Sequence, residues 1–138
     1  RRNAPHRVFA IVGDGEMHEG QIWETLQQAG HMKMDNLVAI FDYNGFSSHD
    51  PVNEVVNLEP LADKIRSFGW HVLELHDGND MHQVADTLML SRHLKGKPVA
   101  IVAHTTKGSG VSYMEHNGDW HSKTPSKEQF QQAMEELQ

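Results

Sequence analysis

An acidic residue lies between two glycines directly after an apolar run. Residues 8–12 lead into Gly13, Asp14 and Gly15. Glycines on both sides of a carboxylate let the backbone approach a ligand closely, and a carboxylate at a strand end can bind a metal ion. By itself the pattern also fits a tight strand-to-helix turn in which the glycines serve only the backbone dihedral angles.

A second oxygen donor, Asn44, follows the apolar run 37–41 and stands 30 residues after Asp14. A carboxylate, an amide oxygen and a main-chain carbonyl make a sparse all-oxygen set, which leaves positions open for phosphate oxygens and water, as magnesium prefers. Asn44 and Gly45 could instead form a hairpin turn, but residues 46–51 do not have the pattern of a returning strand. Asp14 and Asn44 are therefore candidate metal ligands.

Four short apolar runs are expected to form the strands that position these residues: 8–12, 37–41, 70–75 and 99–102. Three of them do not alternate polar and apolar residues, which is typical of strands covered on both faces. Segments with helical spacing lie between and after them, and a helix beginning near Gly20 would place partial positive charge near a bound phosphate. The alternation predicts an α/β fold, a parallel sheet with helices on both faces.

Two of the predicted helices have capping-box spacing at their start, Asp80 with Gln83 and Ser126 with Gln129. The last helix has one apolar stripe and is expected to pack on the body of the domain. That stripe consists of Phe130, Ala133, Met134 and Leu137. Trp23 and Trp70 are interpreted as core residues.

The composition excludes several classes of protein. A chain of 138 residues is expected to form one domain. Its net charge of -7 and the lack of a lysine or arginine cluster argue against a surface that binds nucleic acid or anionic membranes. No apolar run approaches the length of a membrane helix. The absence of cysteine excludes disulfides and thiolate metal sites. No signal-peptide pattern opens the sequence, so a cytoplasmic location is expected.

The spacing of Gly13-Asp14-Gly15 and Asn44 resembles the thiamine diphosphate signature. Further segments are similar to the transketolase family, and together they cover nearly the whole chain. They are residues 19–24, 35–37, 42–45, 60–62, 68–72, 106–115 and 120–121.

The resemblance implies a role for individual residues. Asp14, Asn44 and the carbonyl of Phe46 would bind Mg²⁺ or Ca²⁺, and His121 would lie near the diphosphate and substrate as a proton donor or carrier. Glu19, with Glu24, would belong to an acidic network that meets the partner's cofactor-activating glutamate. The implied cofactor-binding residues are Gly13, Asp14, Gly15, Glu19, Asn44 and His121, and the implied catalytic residues are His121 and Glu19.

The implied activity is thiamine-diphosphate-dependent two-carbon (ketol) transfer between sugar phosphates. Residues 1–138 would form the C-terminal portion of the diphosphate-binding domain, since the family's upstream part of that domain is not recognisable. The pyrimidine-binding domain is not recognisable either. A complementary transketolase subunit is therefore expected, in a hetero-oligomer.

Some residues depart from the family pattern, and other functions stay open. Ser122 stands where the family usually has glycine, and His104 and His116 are not typical at their positions. A deoxyxylulose-phosphate synthase or a ketoacid dehydrogenase α subunit shares the signature. A non-catalytic subunit that retains cofactor binding would share it as well.

Overall fold

The computed structural model describes residues 6–138, so the first five residues of the predicted domain 1–138 lie outside the described part. The elements, in chain order, are β1 (Val8–Gly13), α1 (Gly20–His31), β2 (Leu37–Tyr43), β3 (Phe46–Ser47), β4 (Asp50–Pro51), α2 (Val52–Val55), α3 (Leu61–Ser67), β5 (His71–Leu75), α4 (Met81–His93), β6 (Val99–His104) and α5 (Lys127–Glu136). Short 3₁₀ turns occupy Gly15–His18 and Gly118–His121.

Four strands form one parallel sheet in the order β1, β2, β6, β5. Gly13 is paired with Asp42 in the register, and Tyr43 with His104, so the carboxyl ends of three neighbouring strands meet at one edge. The four predicted strands and the parallel α/β fold are confirmed. The edge where ligands bind in such sheets therefore carries the residues that follow β1, β2 and β6.

Helices cover both faces of the sheet, as predicted. On one face α1 and α3 pack against β2 and β6, with Leu26, Ile65 and Phe41 buried in the same apolar cluster. On the other face α4 packs through Val84 and Leu88 on β2, β5 and β6. Each fully buried side chain of this kind contributes roughly 1.5–3 kcal/mol through the area that it removes from water.

The two tryptophans lie in or against the first cluster, as interpreted from the sequence. The indole of Trp70 is buried and donates to the carbonyl of Leu26 over 2.8 Å. Trp23 donates to the carbonyl of Met17 over 2.7 Å, which ties α1 to the turn after β1. Both rings thus fasten α1 to neighbouring segments.

The prediction that β1 is covered on both faces was wrong. Phe9 is 50% exposed and Ile11 is 73% exposed. The reason is that α4 packs on β2, β5 and β6 and leaves a gap between itself and β1. Beside β1 lies an open apolar groove of about 460 Å³. Its walls are formed by Phe9, Ile11, Ile40, Leu88, Met89 and Arg92.

Helix ends and surfaces agree with the sequence in part. Ser126 and Gln129 form the predicted capping box of α5. Asp80 caps α4, but Gln83 bonds the Asp80 carboxylate and not its backbone. The predicted packing of α5 on the body is confirmed in part: Ala133 of the stripe is buried, whereas the other three residues are exposed, Phe130 by 57%.

Polar contacts explain this outcome for α5. Tyr113 donates its hydroxyl to the carbonyl of Gln129 over 2.7 Å, and the backbone N–H of Ser112 donates to Glu136 over 2.6 Å. These bonds hold one edge of the helix against the loop after β6, and of the stripe only Ala133 is buried. None of the helices within residues 6–138 is long and apolar enough to cross a membrane.

Candidate functional site

The carboxylate of Asp14 lies at the carboxyl end of β1 and is only 2% exposed. The chain leaves the strand there and enters the turn Gly15–His18, which Asp14 caps by accepting the N–H of Gly15 over 2.9 Å. Met17, fully buried, anchors this turn in the core. The second oxygen of Asp14 accepts the N–H of Gly45 over 2.7 Å.

Burial dominates the electrostatics of this carboxylate and raises the pKa of Asp14 above its ordinary value. Backbone N–H donors from Gly45, Gly15 and Phe46 act in the opposite direction, and the nearby charge of Asp42 adds to the rise. A cation beside Asp14 would favour the ionised form that desolvation disfavours.

The side chain of Asn44 is held by two hydrogen bonds just past the end of β2. Its Oδ1 accepts the N–H of Phe46 over 3.1 Å, and its Nδ2 donates to Oδ2 of Asp42 over 3.3 Å. Asp42 in turn accepts the hydroxyl of Thr105, which follows β6. The ends of two adjacent strands, β2 and β6, together with the first residue of β3, therefore orient one amide group.

Residues 46–51 form a small antiparallel hairpin, β3 with β4, which the sequence pattern did not predict. Its two-residue turn is Ser48–His49, and Ser48 has a left-handed φ of 59°. Asn44 and Gly45 precede the hairpin and do not form its turn. A Cβ atom on Gly15 would lie 3.3 Å from the Cα of Ser47, so the glycine permits the turn after β1 to approach this hairpin closely.

The loop after β6 brings a lysine and a histidine to the same edge. Nζ of Lys107 lies 3.4 Å from Nδ1 of His121. An ammonium group has only donors, so Nδ1 is the acceptor and the neutral His121 ring carries its proton on Nε2. The loop is held by its own backbone, since the N–H of His116 donates to the carbonyl of Lys107 over 3.0 Å.

These segments enclose one cavity of about 580 Å³. All the metal, cofactor and catalytic residues predicted from the sequence line it: Gly13, Asp14, Gly15, Glu19, Asn44, Phe46 and His121. Glu24 does not, and lies on the outer face of α1 beside Gln27 and Gln28. The start of α1 contributes Glu19 to the wall, whereas Gly20 is not part of it.

Four further lining residues were not predicted: Glu16, Asp42, Ser48 and Lys107. Asp42 and Lys107 stand inside the segments that resemble transketolases, which is the signal that could have identified them. Glu16 and Ser48 carry no comparable signal, because each reaches the cavity through a local turn.

The charge of the cavity suits a divalent cation. Asp14, Glu16, Glu19 and Asp42 contribute four carboxylates against the single ammonium of Lys107. Within residues 6–138, no three His, Cys, Asp or Glu side chains are grouped so as to hold a metal by themselves. Asp14, Asn44 and a carbonyl fit an ion that takes its remaining ligands from phosphate oxygens and water.

Comparison with known proteins places the chain in one family. Residues 2–137 match the family model described as transketolase, thiamine diphosphate binding domain. An apulose-4-phosphate transketolase subunit of Phocaeicola vulgatus is 39% identical over 97% of this chain. The 6-deoxy-6-sulfo-D-fructose transketolase subunit SqwG of a Clostridium species is 37% identical over the same share.

The fold agrees with that of a solved transketolase. The crystal structure of transketolase from Campylobacter jejuni superposes with a TM-score of 0.89 at 28% identity, over 96% of this chain and 20% of that one. The chain spans about half the length of the two subunit relatives, 47% and 48% respectively.

Proposed function

Because the chain belongs to the transketolase thiamine diphosphate-binding domain family, we propose that it binds the cofactor's diphosphate through a divalent metal ion and serves ketol transfer between sugar phosphates. The observation that supports this most is the convergence of buried Asp14 and oriented Asn44 on one acidic cavity. A diphosphate would be repelled by the four carboxylates there unless a cation came with it.

The metal ligands would be the side chains of Asp14 and Asn44 and the carbonyl of Phe46, with Mg²⁺ or Ca²⁺ as the ion. Each carboxylate oxygen of Asp14 already accepts one N–H and retains a lone pair for the metal. Gly13 and Gly15 would let the backbone come near the diphosphate. Lys107 would add the one ammonium that can pair with a phosphate oxygen directly.

When bound, thiamine diphosphate supplies the nucleophilic carbon that breaks and forms carbon–carbon bonds in ketol transfer. The chain's own residues would position the reactants and move protons. His121 presents an Nε2–H that can donate to an oxygen of the cofactor or the sugar and recover the proton. Glu19, on the cavity wall, would connect this site to Glu24 and the partner's activating glutamate.

A complementary polypeptide would complete the active site. Two relatives are named as transketolase subunits, which supports this proposal. The apolar groove beside β1, a strand that pairs on one side only within residues 6–138, supports a further covering segment there. Residues 1–138 would be the C-terminal portion of the diphosphate-binding domain. The remainder of that domain, on another chain or on an N-terminal stretch of the same chain, would cover Phe9 and Ile11. The pyrimidine-binding subunit would then join them in a hetero-oligomer. The cytoplasmic location stays a prediction.

Titration calorimetry tests the cofactor site. Thiamine diphosphate is titrated into the wild-type protein, once with Mg²⁺ and once with excess chelator. The same two titrations are made with Asp14→Ala and with a matched control, Asp86→Ala, which removes a carboxylate on α4. Wild type and Asp86→Ala should bind only with Mg²⁺, and Asp14→Ala should not bind. Unchanged affinity in Asp14→Ala would refute the ligand assignment.

Turnover requires a second measurement. The protein, combined with candidate pyrimidine-binding subunits, is assayed for ketol transfer with phosphorylated and sulfonated sugars. Metal-dependent cofactor binding without transfer in any combination would instead favour a non-catalytic subunit that retains the cofactor site.

A further inference from the structure

His49 contacts the ring of His121 and is not among the residues that line the cavity. Its ring centroid is 5.5 Å from that of His121, and the two rings meet edge to face at 70°. Its Nε2 atom lies 3.3 Å from the hydroxyl of Ser122. One side chain of the β3–β4 turn therefore contacts two consecutive residues of the loop after β6.

The backbone holds these two segments together independently of the rings. Gly118 is buried, and a Cβ atom there would lie 1.8 Å from the carbonyl oxygen of His49 and 2.9 Å from its Cα. Because no side chain fits between them, the 3₁₀ turn that ends in His121 lies directly on the hairpin turn. The distance between the two histidines is thus set by the fold.

The ring of His121 has few other restraints. His121 is exposed in this chain, and its other polar contact is the 3.4 Å approach of Lys107 to Nδ1. That approach favours one tautomer only while the ring keeps Nδ1 toward Lys107, and a single long contact does not fix the ring in that orientation. An edge-to-face neighbour restricts rotation, because such aromatic pairs have a preferred geometry.

Ser122 in turn restrains His49. Its hydroxyl lies 3.3 Å from Nε2 of His49 and can donate to or accept from that imidazole nitrogen. The contact therefore ties the His49 ring to the residue next to His121.

We propose that His49, held by Ser122, is a positioning residue that packs on the His121 ring and keeps its Nε2–H directed into the cavity. His49 does not line the cavity and acts through His121. The role of His121 on the bound ligand rests on the proposed function above, whereas the control of its ring by His49 does not.

Nitrogen-15 NMR of the imidazole rings tests the positioning without any turnover. In the wild-type protein the His121 ring should give the signal of one tautomer with the proton on Nε2. His49→Ala should convert it to an averaged signal, His49→Phe should preserve the single tautomer, and His82→Ala, an exposed histidine on α4, should leave it unchanged. A His121 signal that is identical in His49→Ala and the wild type would overturn the proposal.

Kinetics in the enzyme assembled with its partner subunit give a second test. His49→Ala should lower kcat roughly 3- to 10-fold with little change in the KM of the sugar, and His49→Phe should restore most of the loss. In a His121→Asn background the same change should have no further effect, because the ring that His49 positions is gone. An equal loss in both backgrounds would show a general structural role and refute the proposal. If the assembly has no transfer activity at all, the proposed function fails while the NMR result still decides the role of His49.

Discussion

The backbone N–H of Gly45 donates to Oδ2 of Asp14 over 2.7 Å, from a position 31 residues further along the chain. The bond joins the segment after β2 to the carboxylate after β1, and the parallel register brings these two ends to the same edge of the sheet. The carboxylate is thus oriented by backbone before any ligand arrives. Such preorganisation lowers the cost of building a metal site.

Binding of Mg²⁺ should depend on pH through Asp14. Burial raises the pKa of Asp14 above 3.8, so the folded chain without metal favours the protonated acid more than the unfolded chain does. The stability that this group contributes is complete below 3.8 and is lost as the pH rises through the raised pKa. Metal needs the ionised form, so Mg²⁺ affinity should fall, and proton release on binding should increase, as the pH drops toward that pKa. Calorimetry in buffers of different ionisation enthalpy measures the released protons, and a release unaffected by Asp14→Ala would contradict the assignment.

Removing the hydroxyl of Thr105 should weaken the metal site from a distance. Thr105 donates to Asp42, which accepts the Nδ2 of Asn44, so Thr105→Val frees the amide to rotate. Groups that orient a metal ligand typically account for about 10- to 100-fold in affinity, and a loss of that size is expected for Mg²⁺ with thiamine diphosphate. Thr25→Val is the matched control, since the Thr25 hydroxyl bonds only the carbonyl of Gln21 on α1. Equal affinities for the two variants would rule out this chain of contacts.

The fold and part of the site could be predicted because their signals are local. Three of the four strands are continuous apolar runs, and Asp14 and Asn44 follow two of them, where a parallel sheet must bring them together. Lys107 has no local signal beyond the resemblance of its segment, because its approach to His121 depends on how the long loop after β6 folds back. Its position is a consequence of tertiary structure.

The incorrect predictions have physical causes of the same kind. The apolar run of β1 shows that the strand can be covered on both faces, but not which segment covers it, and Ile11 remains exposed. The β3–β4 hairpin was missed because each strand has two residues and one of them is Pro51, which is unusual in a strand. The stripe of α5 is buried only at Ala133, because polar contacts through Ser112 and Tyr113 also orient that helix.

A charged side chain in the groove beside β1 should prevent association with the remainder of the diphosphate-binding domain. Ile11 is 73% exposed, so Ile11→Lys should leave the unfolding free energy of the chain nearly unchanged while removing apolar surface from the proposed contact. Phe130→Lys, at an exposed apolar position on α5, is the control. Sedimentation of the chain with the remainder of a relative's diphosphate-binding domain should show a complex for wild type and control only. The proposal that the remainder of the diphosphate-binding domain covers the groove would be excluded if the complex formed equally well with Ile11→Lys. It would also be excluded if two copies of the chain paired through β1.

Substituting Gly118 should separate the two turns that meet behind the cavity. A methyl group there would overlap the carbonyl of His49, and relieving an overlap of this kind costs about 1–3 kcal/mol through backbone shifts. Gly118→Ala should therefore lower the unfolding free energy in urea by that amount and release His121 from its single tautomer. Gly20→Ala provides the comparison, because a Cβ atom on Gly20 meets nothing within 4 Å and alanine favours the helix there. Gly20→Ala should be at least as stable as the wild type. If Gly118→Ala is equally stable, the loop after β6 can move without a loss of unfolding free energy, and the fold does not set the distance between His49 and His121.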